Sequence, residues 1–172
     1  MAKTIFELSS GGKNVDENAK KKGLRMISYG LQVLGARDGD KQTVASINWT
    51  TQASFQPPLV AIGIKTDSTA HDLVKKSKKF ALSMLGTGQK DVAMAFFKHV
   101  DPKDGKFGNY VFESGKNGCP IISDAPAAVE CDVVNFFEHG DHSIAIGQVT
   151  EAHLKKDVEP LTLKECGFNY GG

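Results

Sequence analysis

A polar loop and a helix start stand close together in residues 43–85, and both offer groups that hold ligands. The loop provides hydroxyls, amides and an indole, which can hydrogen-bond the oxygens of a phosphorylated ligand or cover its flat ring. The candidate binding residues are Ser46, Ile47, Asn48, Trp49, Thr50, Thr51 and Gln52. Spacing alone favours a plainer interpretation, a polar edge strand that ends in a turn, so the binding role is a hypothesis.

The helix start follows the loop across a single predicted strand. Lys65, Ser68 and Thr69 bring a positive charge, two hydroxyls and the free N–H groups of a helix N-terminus, which together suit a phosphate. An ordinary N-cap explains the same residues, and Asp67 and Asp72 weaken an anion site unless they point away. The closeness of the two segments favours a single cradle for a flat, phosphate-bearing cofactor.

A third cluster of polar side chains comprises His139, Gly140, Asp141 and His142. A tight turn would splay these side chains apart, so a turn with a polar histidine is favoured over a metal site, and no metal is expected. A catalytic role for His142, in contact with a nicotinamide, stays open. The sequence contains no GxGxxG after a strand, no GxxxxGK[ST] and no GxSxG, which favours chemistry led by a cofactor.

Composition excludes several classes of protein. The 172 residues include 21 basic and 20 acidic side chains, a net charge of +1 that gives no argument for binding nucleic acid or an anionic membrane. The three cysteines show no CxxC spacing, which argues against zinc and iron–sulfur sites. No segment approaches the roughly 20 apolar residues of a membrane helix. We expect a soluble, cytoplasmic protein.

Strand patterns outnumber helix patterns along the chain. Strands are predicted at residues 24–36, 42–51, 58–65, 80–85, 127–137 and 142–153. The Asp-Gly of ARDGDK predicts a hairpin, and EHGD resembles a second one. Helices are predicted at 69–79 and 89–99, a mobile arm or short helix at 1–23, and a loop at 101–118. A closed or partly closed antiparallel barrel with about two helices fits these elements best.

Four segments in this order resemble the flavin reductase-like family of FMN-binding split barrels, closest to its flavoredoxin-type branch. They are ISYGLQVLGARDGDKQTVASINWTTQASFQPPLVAIGI, STAHDLVKKSKKFALSML, HGDHSIAIGQVTEAH and the terminal GFNYGG. The resemblance implies a mainly β, Greek-key split barrel with two to three helices, formed by residues 24–172 as a homodimer. Residues 1–23 would be an N-terminal arm that can wrap the neighbouring subunit.

The resemblance also implies a cofactor and roles for residues. FMN, rather than FAD, would bind noncovalently near the dimer interface, with its ring and ribityl chain on residues 46–52. Its phosphate would lie at Lys65, Ser68 and Thr69. His142 lies in the family's GDH motif, associated with nicotinamide, so NAD(P)H is the expected co-substrate. Asn48 and Trp49 stand where many members carry a run of small hydroxyl residues. Trp49 could stack on the flavin or wall it off, which puts easy flavin exchange in doubt.

The expected function is an NAD(P)H:flavin oxidoreductase that passes electrons to free flavin or another acceptor, such as a redox protein. A first alternative is a flavoredoxin-like FMN electron carrier without NAD(P)H activity of its own. A second is a flavin-binding or small-ligand-binding module, or a structural dimer, with no redox role. A haem-binding split barrel is disfavoured, because no histidine stands out as an axial ligand.

Overall fold

The computed structural model describes residues 15–167 and 169–171. The first fourteen residues of the expected N-terminal arm therefore lie outside the described part. The rest of the arm forms helix α1 (Glu17–Leu24), which buries none of its residues. Asp16 caps this helix, because its carboxylate accepts hydrogen bonds from the backbone N–H groups of Asn18 and Ala19.

Eleven strands and two further helices follow in the described residues. In chain order they are β1 (Gln32–Asp38), β2 (Lys41–Ile47), β3 (Thr50–Ser54), β4 (Leu59–Lys65), α2 (Thr69–Ser77), β5 (Lys79–Met84), α3 (Lys90–Ala95), β6 (Pro102–Lys103), β7 (Lys106–Phe107), β8 (Tyr110–Ser114), β9 (Pro120–Ile122), β10 (Ala127–Glu138) and β11 (His142–Leu154). None of the helices in this described part of the chain has the length and apolar character that crossing a membrane requires.

All strand pairs of the main sheet are antiparallel, in the order β2-β1-β5-β10-β11-β4-β3. Both predicted hairpins are present. The first turns at Gly39, whose φ of 58° suits glycine, and pairs Asp38 with Lys41. The second joins β10 to β11 through the turn that contains Gly140. A smaller sheet has the order β6-β7-β8-β9.

The core lies on both faces of β1. Val33 belongs to a cluster with Phe96 and Phe107, between the main sheet, α3 and the small sheet. Its neighbour Leu34 points to the opposite face and packs with α2 and Phe80. Because successive side chains of a strand alternate in direction, this burial on both sides explains the nearly continuous apolar run in β1.

Several predicted bounds differ from the structure. The first strand begins at Gln32 rather than at residue 24, and the strand predicted at 42–51 is interrupted at Asn48 and Trp49. The strand predicted at 58–65 begins at Leu59, and its apolar run predicts full burial, whereas only Ile62 and Ile64 are buried. The second predicted helix, at 89–99, is shorter, since α3 ends at Ala95. The loop predicted at 101–118 contains three short strands, because local pairing satisfies its backbone groups.

Candidate functional site

Backbone pairing brings the polar loop beside the HGDH turn. The Trp49 carbonyl accepts a hydrogen bond of 2.8 Å from the Gly63 N–H of β4. On the other edge of β4, Lys65 pairs with His142 of β11. Strand β4 therefore lies between the two segments and fixes their separation.

Trp49 lies at the centre of this arrangement. A side chain at Gly63 would place its Cβ 3.0 Å from Trp49 Cε3, so the absence of a side chain there lets the indole lie against β4. The ring centroids of Trp49 and His142 are 4.4 Å apart, with an interplanar angle of 46°. The Tyr170 ring lies 5.5 Å from Trp49 on the C-terminal segment. Three rings from distant parts of the sequence thus meet at one place.

His142 is held by a hydrogen bond at each ring nitrogen. Its Nδ1 lies 2.9 Å from Asp141 Oδ1, and its Nε2 lies 3.1 Å from the Tyr170 hydroxyl. The hydrogen bond with His142, and the charge of that ring when protonated, hold the pKa of Asp141 below its ordinary 3.8. Asp141 is therefore an acceptor at neutral pH, so Nδ1 carries the proton. Nε2 of a neutral ring then accepts from Tyr170, which orients the imidazole.

Three consecutive residues of the loop bury polar atoms that have no hydrogen-bond partner within residues 15–167 and 169–171. The atoms are Asn48 Nδ2, Trp49 Nε1 and Thr50 Oγ1. An unsatisfied buried polar group costs about 1–3 kcal/mol, so such a run is unusual unless something else pairs with it. The donor set suits a flat heteroaromatic ligand rich in acceptors, and the residues present therefore fit a flavin.

Other predicted contact residues already make hydrogen bonds or core contacts within the protein. The Ser46 hydroxyl donates to the Ala93 carbonyl at 2.6 Å, and the Ser46 N–H donates to the Phe96 carbonyl at 3.0 Å. Ser46 therefore fastens α3 to β2, and Ile47 is a buried core residue. The Thr51 hydroxyl donates to the Gln52 carbonyl, while the Gln52 amide donates to Ser54 at an exposed place.

The predicted phosphate end lies at the start of α2. The Ser68 hydroxyl caps this helix, accepting from the His71 N–H and donating to the Lys65 carbonyl. Lys65 Nζ lies 3.1 Å from Asp67 Oδ2, and this hydrogen bond and charge raise the pKa of Lys65 above 10.5. Thr69 is the first residue of the helix, at the positive end of its dipole, whereas the Asp67 carboxylate partly offsets the charge of the Lys65 ammonium.

Two cavities meet at the rings of Trp49 and His142. The smaller, about 200 Å³, is lined by most of the predicted residues of both segments, namely Ser46, Ile47, Asn48, Trp49, Lys65, Ser68 and His142. The larger, about 560 Å³, is lined by Trp49, Thr50, Thr51 and His142, together with apolar groups that include Phe137 and Ile144. Gln52 and Thr69 line neither of these two cavities. The predicted residues are thus mostly brought together, in two adjoining spaces.

Sequence reasoning missed Tyr170, Gly63 and Arg25 as parts of the site. Tyr170 reaches His142 across 28 positions of sequence, and Arg25 Nε donates to the Gly171 carbonyl at 3.2 Å. The terminal GFNYGG offered the one usable signal, an aromatic residue between glycines. None of the three cysteines supplies a nucleophile, because all are buried. Burial raises the pKa of Cys119 to about 11 and that of Cys131 to about 12.

Residues 24–172 match the family described as the flavin reductase like domain. The chain belongs to this family, which confirms the predicted assignment and, with the antiparallel sheets and three helices, the predicted mainly β fold.

Two curated relatives and one solved structure illustrate the similarity. The chain is 32% identical over 151 residues to Diflavin flavoprotein A 1 of Synechocystis sp., which covers 87% of this chain and 26% of that protein. It is 31% identical over 144 residues to a flavin reductase of Pseudomonas putida, covering 83% and 82%. The NADH:FAD oxidoreductase SgcE6 of Streptomyces globisporus, in complex with NAD and FAD fragments, superposes with a TM-score of 0.72 at 27% identity, covering 85% and 87%. The chain spans about a quarter of the diflavin relative.

Proposed function

We propose that the protein is an FMN-binding oxidoreductase of the flavin reductase type, which uses NAD(P)H to reduce a noncovalently bound flavin. The observation that carries this proposal is the run of buried, unpartnered polar groups on Asn48, Trp49 and Thr50, next to an oriented His142. When bound, the flavin would accept a hydride from the nicotinamide and pass electrons to free flavin or another acceptor.

The loop residues would hold and polarise the flavin ring. Trp49 Nε1–H and the Asn48 amide would donate to ring acceptors, and their dipoles would stabilise negative charge that develops there on reduction. Thr50 and Thr51 line the adjoining cavity and would hydrogen-bond the ribityl chain. Lys65 and the α2 N-terminus, with Ser68 and Thr69, would receive the phosphate, because a cation and free N–H groups meet there. Ser46, Ile47 and Gln52 would support the loop's shape.

His142 would orient the nicotinamide beside the flavin. Asp141 fixes its tautomer, so that Nε2 is an acceptor, which the nicotinamide would take over from the Tyr170 hydroxyl. A nicotinamide carboxamide offers N–H donors of the kind that Nε2 can accept. His142 needs no change of protonation state for this role, which is positional rather than acid–base.

The assembly and partners follow from the same site. The larger cavity is open and bears exposed apolar side chains, with Phe137 62% and Ile144 44% exposed, so a second copy would complete it. We therefore infer a homodimer with flavin near the interface, built from residues 24–172 with residues 1–23 as an arm. A cytoplasmic location and a redox protein as acceptor complete the proposal.

A second candidate function is an FMN electron carrier without NAD(P)H activity. The observation that favours it is the Tyr170 hydroxyl on His142 Nε2, the atom that a nicotinamide would need. In a carrier this hydrogen bond would persist, and the flavin would receive its electrons from another protein.

Flavin binding tests the first step of the proposal. The purified protein, stripped of any cofactor, should bind FMN more tightly than FAD in a fluorescence titration. Thr50→Ala and Trp49→Phe should weaken binding about three- to thirtyfold, since each removes a hydrogen bond to the ligand. Thr150→Ala is the matched control, because its hydroxyl donates to the Glu130 carbonyl at 3.2 Å and Thr150 lines neither of the two cavities. Failure of both flavins to bind would contradict the proposal.

A further inference from the structure

The C-terminal segment Asn169–Gly171, called here the strap, folds back over the loop at Trp49. The Tyr170 hydroxyl binds His142 Nε2 at 3.1 Å, and Arg25 Nε donates to the Gly171 carbonyl at 3.2 Å. These two hydrogen bonds fasten the strap at one end to β11 and at the other to the segment after α1. The strap is therefore attached by two polar contacts that can be removed one at a time.

The strap lies directly on the indole of Trp49. Gly171 has a φ of 101°, and a Cβ at this position would stand 3.4 Å from Trp49 Cζ2 and 3.7 Å from Trp49 Nε1. The backbone of Gly171 therefore covers the indole N–H without accepting a hydrogen bond from it. This contact leaves a buried donor unsatisfied, so displacement of the strap by a ligand with an acceptor would recover that hydrogen bond.

The strap borders two cavities, and one of them, of about 590 Å³, is lined by Arg25, Asn169 and Tyr170 and contains none of the predicted site residues. Tyr170 also lines the cavity of about 200 Å³, together with Lys65, Ser68 and His142. Ligands of cofactor size use pockets of about 300–1,000 Å³. The space beside the predicted phosphate end is too small for a flavin while Tyr170 occupies its wall, whereas Trp49 and His142 also border the larger cavity of about 560 Å³.

We propose that the strap is a gate that competes with the flavin ring for the surface over Trp49 and His142. With the strap closed, Gly171 lies on the indole surface that the flavin ring would contact, and Tyr170 occupies the His142 Nε2 that the nicotinamide would need. With the strap released, the cavities of about 200 and 560 Å³ join, Trp49 Nε1 and His142 Nε2 become available, and the ligand can span from β4 to the α2 N-terminus. The inference rests on the proposed function, because it names flavin as the competitor.

The energetic consequence is a reduced apparent affinity. Only the open fraction of the protein binds, so the apparent Kd exceeds the intrinsic Kd by the inverse of that fraction. The loss of one solvent-exposed hydrogen bond shifts such an equilibrium by about two- to tenfold. Arg25→Ala and Tyr170→Phe should therefore each tighten FMN binding by about two- to tenfold, and should raise the association rate.

The first arm of the test needs no flavin. Trp49 is the single tryptophan of the chain, so its fluorescence reports on the accessibility of the indole that the strap covers. Arg25→Ala and Tyr170→Phe should increase quenching of Trp49 by acrylamide in the flavin-free protein. Arg37→Ala is the matched control, since Arg37 Nε donates to the Gly39 carbonyl at 2.8 Å in the β1–β2 turn. The control should leave quenching unchanged.

The second arm measures the Kd and association rate of FMN for the same four proteins. Increased quenching together with tighter and faster FMN binding supports the gate. Unchanged quenching in both strap variants, or unchanged FMN binding despite increased quenching, overturns it and leaves the proposed function intact. If no version binds FMN or FAD, the proposed function fails and the gate fails with it.

Discussion

At the scale of residues, the site depends on one aromatic residue and one histidine that neighbours hold in place. Trp49 fits because β4 carries a glycine beneath it, and His142 is oriented because Asp141 and Tyr170 occupy its two nitrogens. Neither residue carries out chemistry alone. Their value lies in fixed position, which is what a protein contributes when a cofactor carries the reaction.

A substitution at His142 separates binding from reduction. In His142→Ala, FMN should remain bound, because the flavin contacts come from the loop, and its Kd should fall about two- to tenfold as in Tyr170→Phe, because the strap loses the same hydrogen bond. The rate of flavin reduction by NAD(P)H should fall about tenfold or more, since a positioning hydrogen bond is lost. Anaerobic stopped-flow absorbance measures both quantities.

The matched control for this experiment is His99→Ala. His99 Nε2 lies 2.9 Å from Asp101 Oδ1, the same kind of contact at an exposed place outside the two cavities. This variant should reduce flavin at the unaltered rate. An unaltered rate in His142→Ala as well would remove His142 from the mechanism.

At the scale of elements, β10 is fixed to the small sheet through a buried carboxylate. Glu130 accepts hydrogen bonds from the Lys116 and Asn117 N–H groups at 3.0 and 2.6 Å, and from His153 Nε2 at 2.8 Å. Burial raises the pKa of Glu130, but these hydrogen bonds outweigh burial and leave it below 4.5. The turn after β8 is thereby attached to the main sheet.

The lowered pKa predicts a stability that depends on acid pH. A depressed carboxyl pKa stabilises the folded state above the unfolded value of about 4.5, and this contribution is lost as the pH falls through the folded pKa. Glu130→Gln should therefore lower the free energy of unfolding by about 1–3 kcal/mol at pH 7. The difference from the unsubstituted protein should shrink below about pH 4.5.

Urea unfolding at several pH values measures this effect. Glu113→Gln is the control, because Glu113 binds Lys155 Nζ at a half-exposed place and should cost little. A constant difference between Glu130→Gln and the unsubstituted protein across the pH range would contradict the assignment.

The sequence predicted elements well where the signal was local. The β1–β2 hairpin follows from Gly39 in the Asp-Gly turn, and α2 follows from Ser68 as N-cap before an amphipathic run. The strands within residues 101–118 escaped prediction, because β6 and β7 are two residues long and form only through pairing. The break at Asn48 and Trp49 depends on β4, which no local pattern reveals.

The same limit applies to the site. Lys65 and the loop were predictable, because residue types suited to a ligand stood close in sequence. The position of Tyr170 depends on the path of the chain after β11, and Arg25 approaches from its other end. Only the three-dimensional structure shows that Trp49 Nε1 is buried without a hydrogen-bond partner among the described residues. The sequence thus predicted the candidate ligand contacts better than it predicted the C-terminal residues that cover them.

At the scale of the whole molecule, the exposed apolar side chains around the larger cavity argue for a dimer. Ile27, Phe137 and Ile144 border that cavity and are 44–62% exposed. The unsubstituted protein should behave as a dimer in analytical ultracentrifugation. Phe137→Glu should shift it to a monomer and weaken FMN binding, because it buries a charge at the contact. Val111→Glu, at a half-exposed position on the small sheet, should remain dimeric.

The dimer experiment has a clear opposite result. If the unsubstituted protein is a monomer at micromolar concentration and still binds FMN, one chain alone completes the site. The larger cavity would then serve as the opening for the nicotinamide.

The central claim is that this fold uses NAD(P)H to reduce its own bound flavin. Its most direct test is the visible spectrum of the FMN-loaded protein under anaerobic conditions, before and after addition of NADH or NADPH. We predict that one or both nucleotides bleach the flavin absorbance, and that added free flavin or oxygen restores it. A flavin that stays oxidised with both nucleotides, yet bleaches with dithionite, would contradict the reductase and support the electron carrier.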